Sequence, residues 1–255
     1  MVNTHLSRRQ IVVMGSLLGG ISVAAPLRAQ SLDSIFGSAK KVIDAVSYSD
    51  EEMGVYFEEM SAQMDSQNTV AGADDPYGQR LAALSQGLET YDGLNLDIKA
   101  YRVDDVNAFA MANGTIRVYS GLMDQFTDDE VRYVIGHEIG HVKKEHTRKR
   151  MEGALQQEAA LSIAGTAGGD VGQLAAGELG QLFNSVISSQ HSQKHEKQAD
   201  DYAFEFMQSN QYDAEACATA LEKLDALSGG SSQPDWLSTH PSPKSRAKRM
   251  RKKLK

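Results

Sequence analysis

The sequence His137-Glu138-Ile139-Gly140-His141 constrains the fold of this chain more than any other stretch. Thr127 and Glu130 form a capping box, which predicts a helix that begins shortly before the motif. Residues four positions apart project from one face of a helix, so both histidines can reach one ion. Their nitrogens suit zinc at about 2.0–2.1 Å, and Glu138 is placed to take a proton from a zinc-bound water.

A second helix is predicted over residues 191–207 and supplies a third metal ligand. Without such a ligand, the two histidines could simply belong to a solvated helix face. Glu196 and Asp200 are four residues apart on this helix and share a face. Glu196 can complete the zinc coordination and leave one position for water, while Asp200 can orient a coordinating imidazole. Without the first helix, a pair of exposed acids would be the favoured interpretation of these two residues.

Four stretches, in this order, resemble the zinc metallopeptidases related to HtpX and to the CAAX prenyl endopeptidases, a gluzincin family. They are residues 107–122, the His-Glu-x-x-His motif, the pair Glu196 and Asp200, and residues 238–246. The resemblance spans roughly residues 75–250 and points to the soluble exported branch, of the β-barrel assembly-enhancing protease type. It implies an α+β, mostly helical, zincin-like metallopeptidase domain with a zinc helix beside a small β-sheet.

Residues 96–103 and 106–119 alternate enough to be strands, and Asn113-Gly114 is a strong two-residue hairpin signal. The resemblance identifies this region as the strand pair that precedes the zinc helix. Its outer strand could pair with an extended substrate, main chain to main chain. The predicted substrate-binding residues are Asn107, Ala108, Phe109 and Ala110. An ordinary structural hairpin is the alternative interpretation.

The segment Ser238–Arg246 is assigned to the cleft by the resemblance alone. On that basis we predict two roles for His240, as a zinc ligand in a closed resting state and as a polar contact to substrate in an open one. Arg246 is predicted to orient either the substrate backbone or its own segment. A preorganised cation or imidazole near the metal can stabilise the negative charge that hydrolysis builds on the carbonyl oxygen.

Residues 1–29 are typical of an export signal. Arg8 and Arg9 precede the apolar run Ile11–Ala25, which is too short and too rich in glycine to span a membrane. Cleavage is predicted after Ala29, by either the twin-arginine or the general export route. Since no cysteine lies directly after the apolar run, we expect a soluble periplasmic protein without a lipid anchor.

After the signal, the sequence predicts a helical extension at residues 30–70 and the metallopeptidase domain at residues 71–255. Residues 151–190 are the hardest to interpret, and a mobile flap over the cleft is the hypothesis for them. The net charge of −8 argues against a general nucleic-acid partner. Lys244–Lys255 holds eight basic residues, which could contact a membrane surface peripherally or could form an ordinary packed amphipathic helix.

These features predict a zinc-dependent endopeptidase with one zinc ion per chain. His137, His141 and Glu196 would bind the metal, Glu138 would be the general base, and Asp200 would support the ligands. The resemblance implies misfolded or stalled envelope and outer-membrane proteins as substrates, and outer-membrane assembly machinery as a partner. The competing hypothesis is a chaperone-like envelope protein that binds clients, with slow or secondary hydrolysis.

Overall fold

The computed structural model describes residues 50–165, 181, 184–229 and 234–255. Helices dominate, and one small sheet lies among them, which confirms the predicted α+β fold class. In chain order the elements are α1 (Asp50–Gln67), α2 (Pro76–Leu84), a 3-10 turn (Tyr91–Gly93), β1 (Asp97–Tyr101), β2 (Ala108–Ala110), β3 (Thr115–Tyr119), α3 (Ser120–Gln125), α4 (Asp128–Lys143), α5 (His146–Gly165), α6 (Gln193–Ser209), α7 (Ala216–Leu227), α8 (Trp236–Thr239) and α9 (Pro243–Lys253).

The central helix α4 begins where the capping box predicts. The Thr127 hydroxyl accepts a hydrogen bond from the Glu130 N–H, and the Glu130 carboxylate accepts one from the Thr127 N–H at 2.8 Å. This reciprocal pair satisfies N–H groups at the start of the helix that have no partner within it. The helix ends at Lys143, and Glu145 then adopts a positive φ of 56°, which redirects the chain into α5.

The sheet has the strand order β1-β3-β2, with β1 parallel and β2 antiparallel to β3. The hairpin between β2 and β3 differs from the two-residue turn that Asn113-Gly114 indicates. Met111 donates its N–H to Thr115 O at 2.8 Å, so three residues form the loop. Gly114 has a φ of +90°, and a Cβ there would lie 1.8 Å from Asn95 O, so only glycine fits.

Helix α4 packs against the sheet on one side and against α6 and α7 on another, so almost all of its motif residues are buried. Two glycines allow the close approach of α4 to α6. A Cβ on Gly140 would lie 3.0 Å from Ala199 Cα, and one on Gly136 would lie 2.6 Å from the Phe206 ring. The glycines of the motif therefore bring the histidine face of α4 against the acidic face of α6.

Helix α1 packs on a separate apolar cluster, in which Met53, Phe57 and Met60 contact residues of the hairpin and of α5. An ionic network also joins α1 to the sheet. The buried Arg117 guanidinium on β3 donates two hydrogen bonds to Asp65 of α1, both at 2.8 Å, and one to Asp97 of β1 at 2.7 Å. Asp65 also accepts the Tyr101 hydroxyl at 2.6 Å.

We expect the substitution Asp65→Asn to lower the free energy of unfolding by about 2–3 kcal/mol, because it leaves a buried guanidinium short of one carboxylate. Urea denaturation followed by circular dichroism measures the change. Asp74→Asn is the matched control, since Asp74 is exposed, and it should change stability by no more than about 0.5 kcal/mol. Equal stability of the two variants would contradict this role for the network.

The predicted signal at residues 1–29 lies outside the described residues, as do residues 30–49 of the predicted extension and residues 166–180 of the predicted flap. The division of the chain at residue 70 stays a prediction. Among the described residues, no helix has the length and apolar character needed to cross a bilayer.

Candidate metal centre

Helix α4 presents His137 and His141 on one face, as their spacing predicts. Their Nε2 atoms lie 3.0 Å apart, and both rings are buried. Two nitrogens bound to one tetrahedral zinc at about 2.05 Å would lie about 3.3 Å apart. The two imidazoles therefore already have nearly the separation that a shared metal ion requires. Glu138, on the same helix, is also buried, with 1% of its surface exposed.

Helix α6 brings the acidic pair to these histidines. Ser192 caps the helix by accepting the His195 N–H, which places Glu196 in the first turn. The Glu196 carboxylate approaches His141 Nε2 at 3.5 Å and His137 Nε2 at 3.7 Å. One turn later, Asp200 Oδ1 lies 3.1 Å from His137 Nδ1. The structure thus brings together the residues predicted from the two separate helices.

His240 reaches the same cluster from the C-terminal end of α8. Its ring stacks on Trp236 at 4.3 Å between centroids, and its Nδ1 faces the Trp236 carbonyl at 3.2 Å. If Nδ1 donates to that carbonyl, Nε2 carries the lone pair. Nε2 has no hydrogen-bond partner among the described residues and lies 3.5 Å from Glu138 Oε1. Ligand atoms of His137, His141, Glu196 and His240 all lie within 4.8 Å of one another.

Hydrogen bonds assign the tautomers of both α4 histidines. Asp200 can only accept, so His137 donates from Nδ1 and carries its lone pair on Nε2. His146 Nε2 lies 3.1 Å from Gln198 Oε1, and its Nδ1 lies 3.0 Å from His141 Nδ1. If His146 donates to that amide oxygen, its Nδ1 accepts from His141, whose Nε2 then also carries a lone pair.

The donor set fits a divalent cation. Two neutral imidazole lone pairs 3.0 Å apart repel each other unless a cation lies between them. Burial lowers the pKa of His137 to about 4, so a proton does not fill that role at neutral pH. Glu196 Oε1 is buried and has no hydrogen-bond partner among the described residues. Two imidazoles and a carboxylate are a usual ligand set for catalytic zinc.

Burial also acts on the two glutamates of the site. It raises the pKa of Glu138 to about 8, and it raises the pKa of Glu196 to about 8 although the Arg246 guanidinium opposes the shift. A bound divalent cation would lower both values by favouring the charged forms. Glu138 is then a carboxyl group whose proton affinity can be adjusted around neutral pH, as a general base requires.

Arg246 enters the site from the first turn of α9 and is almost fully buried. Its guanidinium donates to both Asp200 oxygens, at 2.7 and 3.0 Å, and forms an ion pair with Glu196. Burial alone would raise the pKa of Asp200, but Arg246 and His137 hold that pKa below its usual range. These contacts favour the predicted role of Arg246 in orienting its own segment, and a catalytic role for it stays a prediction.

A cavity of about 280 Å³ opens beside this cluster. Its lining includes Asn107, which precedes edge strand β2, together with Phe109 and Ala110 of that strand and with Glu138 and His240. Asn107 and Met111 form the hydrogen bonds to β3, so the intervening Ala108 and Ala110 direct their main-chain groups outward. Three of the four predicted substrate-binding residues therefore lie in the cavity next to the predicted catalytic residues, whereas Ala108 is fully buried and does not line it.

Sequence reasoning missed His146, which orients His141. His146 is five positions after His141, so a continuous helix would not place the two on one face. The left-handed Glu145 breaks the helix between them and returns His146 to the site. The histidine itself was visible in the sequence, but the helix break before it was not, because glutamate rarely adopts the left-handed conformation that ends a helix.

The basic residues of Lys244–Lys255 are partly neutralised within the protein. Arg249 and Lys253 pair with Asp201 of α6. Arg251 donates to Glu222 of α7 at 2.7 Å, and Met250 is buried against the core. These contacts favour the packed amphipathic helix, and a peripheral membrane contact stays a prediction.

Comparison with known proteins agrees with this geometry. The model of the family described as Peptidase family M48 matches residues 81–254. Metalloprotease LoiP of Escherichia coli (strain K12) is 40% identical over 243 residues, which cover 94% of this chain and 96% of that protein. Metalloprotease YcaL of the same organism is 34% identical over 211 residues, covering 82% of this chain and 83% of YcaL.

The beta-barrel assembly-enhancing protease of Escherichia coli (strain K12) is 32% identical over 153 residues, covering 56% of this chain and 31% of that protein. The family model spans well over half of the chain and includes all the residues of the cluster around His137. LoiP and YcaL are both named metalloproteases and are matched over most of their length. The chain therefore belongs to peptidase family M48 and is a metalloendopeptidase.

Proposed function

We propose that the protein is a zinc-dependent endopeptidase in which His137, His141 and Glu196 bind about one zinc ion per chain. One observation carries the proposal. Ligand atoms from these residues converge within 4.8 Å, and their hydrogen bonds leave both imidazole Nε2 lone pairs facing the same point. Glu138 lies beside that point, and the cavity along the edge of the sheet leads to it.

A bound zinc ion would polarise the scissile carbonyl and lower the pKa of a coordinated water. Glu138 would take the proton of the attacking water and then transfer it to the leaving amine. Asp200 and His146 hold His137 and His141 in the tautomers that expose Nε2. Arg246 balances the charge of the buried acids, so that the ligand set stays assembled.

The substrate would bind as an extended strand along β2. Among the described residues, the Ala110 carbonyl accepts the Thr147 hydroxyl at 3.3 Å and the Ala108 N–H donates to the Asn107 side chain at 2.9 Å. Ala108 is fully buried, whereas Ala110 lines the cavity, so the outward Ala110 N–H is the group that we propose for main-chain pairing. Such pairing would hold the peptide extended beside Glu138 without selecting its sequence.

The proposed setting is the cell envelope, with misfolded or stalled envelope and outer-membrane proteins as substrates. Two observations support it. Residues 1–29 are typical of an export signal, and one relative is a beta-barrel assembly-enhancing protease. Mass spectrometry of the envelope fraction tests the location. The mature chain should begin near Gln30, and a chain that begins at Met1 would argue against export.

The activity is tested with the purified mature protein and an unbiased peptide library. We expect about one zinc ion per chain by elemental analysis, internal cleavage of peptides, loss of cleavage on chelation and recovery on addition of zinc. The absence of both stable metal and peptide cleavage would reject the proposal. The cleaved peptides would also define the preferred residues beside the cut.

His240 gives a separate prediction, because its free Nε2 belongs to the same cluster. If it binds zinc in a resting state, His240→Ala should raise turnover and self-cleavage, since the water position is no longer blocked. If it contacts the substrate instead, the same variant should lose turnover without binding a chelating inhibitor more tightly. Turnover and inhibitor affinity should be measured together, and wild-type values for both would exclude both roles.

A further inference from the structure

A half-buried cation, Arg150, lies in the cleft beside the metal cluster without forming an ion pair with any carboxylate of the described residues. Arg150, one turn after Thr147 on α5, lines the same cavity as Glu138 and His240. Its side-chain partner among the described residues is the neutral imidazole of His191, whose Nε2 lies 2.8 Å from Arg150 Nη1. No carboxylate of the described residues forms an ion pair with Arg150, and its Nε is buried without a hydrogen-bond partner among them.

The contact with Arg150 determines which nitrogen of His191 carries the proton. A guanidinium can only donate, so His191 Nε2 must accept and its Nδ1 must carry the hydrogen. This Nδ1 is also buried without a hydrogen-bond partner among the described residues. Arg150 and His191 thus bring to a single cavity two donors without a partner and one positive charge without an ion pair among the described residues.

Unsatisfied buried donors are costly, and a buried charge without a partner is more costly still. Burial lowers the pKa of Arg150 to about 10, and the group remains a cation at neutral pH. Arg150 interacts with Glu196 only through a longer-range charge attraction, and Arg246 forms the direct ion pairs with Glu196 and Asp200. The partner that would satisfy the cation and the two donors is an anionic acceptor from the substrate.

We propose that Arg150 and His191 form a subsite for a carboxylate of the substrate, close to the scissile bond. The proposal rests on the endopeptidase function proposed above and specifies its substrate class. The carboxylate could belong to an Asp or Glu side chain or to the C-terminus of a short peptide. Apolar walls from Phe109 and Ile187, which line the same cavity, would accommodate the carbon chain that carries it.

The overall charge of the protein does not explain such a preference. The chain has a net charge of −8, so its long-range field disfavours acidic peptides. The other acid of the cavity lining, besides Glu138, is Asp235, which is exposed at the rim. A preference for acidic peptides must therefore arise from a local contact, and raised salt should weaken it only slightly.

The first experiment needs no variant. Amidated peptides that carry Glu or Gln at each of three positions on either side of the cut are compared by kcat/KM. A second pair compares a free C-terminal carboxylate with its amide at the same distances. We expect about a 10- to 100-fold preference for the carboxylate at one position, in one of the two series. Ratios below about threefold at every position in both series would overturn the proposal.

Variants then assign the preference to Arg150. Arg150→Gln should remove the preference for the carboxylate and leave cleavage of the matched Gln peptide within about threefold. Arg148→Gln, which removes the same charge two residues away, should keep the preference. Zinc content and thermal unfolding would show that each variant is folded. A preference that persists in Arg150→Gln would also overturn the proposal.

The two proposals fail in different ways. If the wild-type protein cleaves neutral peptides and Glu138→Gln does not, while Glu and Gln peptides are cleaved equally, only the carboxylate subsite is wrong. If the wild-type protein cleaves no peptide of either series and binds no zinc, the endopeptidase proposal itself is wrong.

Discussion

Replacing Glu138 with Gln is expected to lower kcat by at least about 10²–10⁴-fold, the usual contribution of a positioned acid–base group. The amide has nearly the same shape but cannot accept the proton of the attacking water. Zinc content should remain near the wild-type value, because Glu138 is not among the proposed ligands. Steady-state kinetics on a fluorogenic peptide and elemental analysis measure the two quantities.

The same variant distinguishes the enzyme from a client-binding protein. If hydrolysis is the function, Glu138→Gln should leave clients bound but unprocessed. If chaperone-like binding along the edge of the sheet is the main function, client maturation in cells should continue with the variant. Turnover within about tenfold of wild type, with zinc retained, would remove Glu138 from the proposed role of general base.

Replacing Glu196 with Gln is expected to abolish activity through loss of the metal. The carboxylate is the anionic member of the ligand set, and its Oε1 faces His141 Nε2 at 3.5 Å. An amide oxygen is a weaker ligand for zinc and cannot neutralise its charge. The zinc dissociation constant, measured by chelator competition, should rise far more in this variant than in variants of Asp200 or His146, which only orient the ligands.

Asp200→Asn is the matched comparison, because it makes the same change one turn along α6. Asp200 orients His137 without belonging to the four residues of the metal cluster. Zinc affinity should therefore fall by only about 10–100-fold. Full zinc occupancy in Glu196→Gln would exclude Glu196 as a ligand, and unchanged affinity in Asp200→Asn would exclude its supporting role.

The parts of the site that are local in sequence were predictable. The capping box defines where α4 begins, and the four-residue spacing of His137 and His141 places them on one face. Glu196 and Asp200 follow the same rule on α6. The approach of the two helices was not predictable from either pattern, because it depends on which surfaces pack together. The glycines at 136 and 140 were visible, but their contacts with α6 were not.

The order of the strands also lay beyond sequence reasoning. The hairpin signal joins β2 to β3, yet nothing local indicates that β1 pairs with β3 in parallel and leaves β2 at the edge. The contact between Arg150 and His191 was also not predictable from the sequence. They are 41 residues apart, and their hydrogen bond exists only after α5 and the segment before α6 have packed.

The ion pairs of Arg246 have a consequence for when the site can form during synthesis. The ligands on α4 and α6 precede α9 in the chain. Until Arg246 packs beside them, Glu196 and Asp200 are two neighbouring acids without a cation to pair with. Burying both without that cation would be unfavourable. We therefore expect a chain that ends before residue 246 to lack a stably assembled metal cluster.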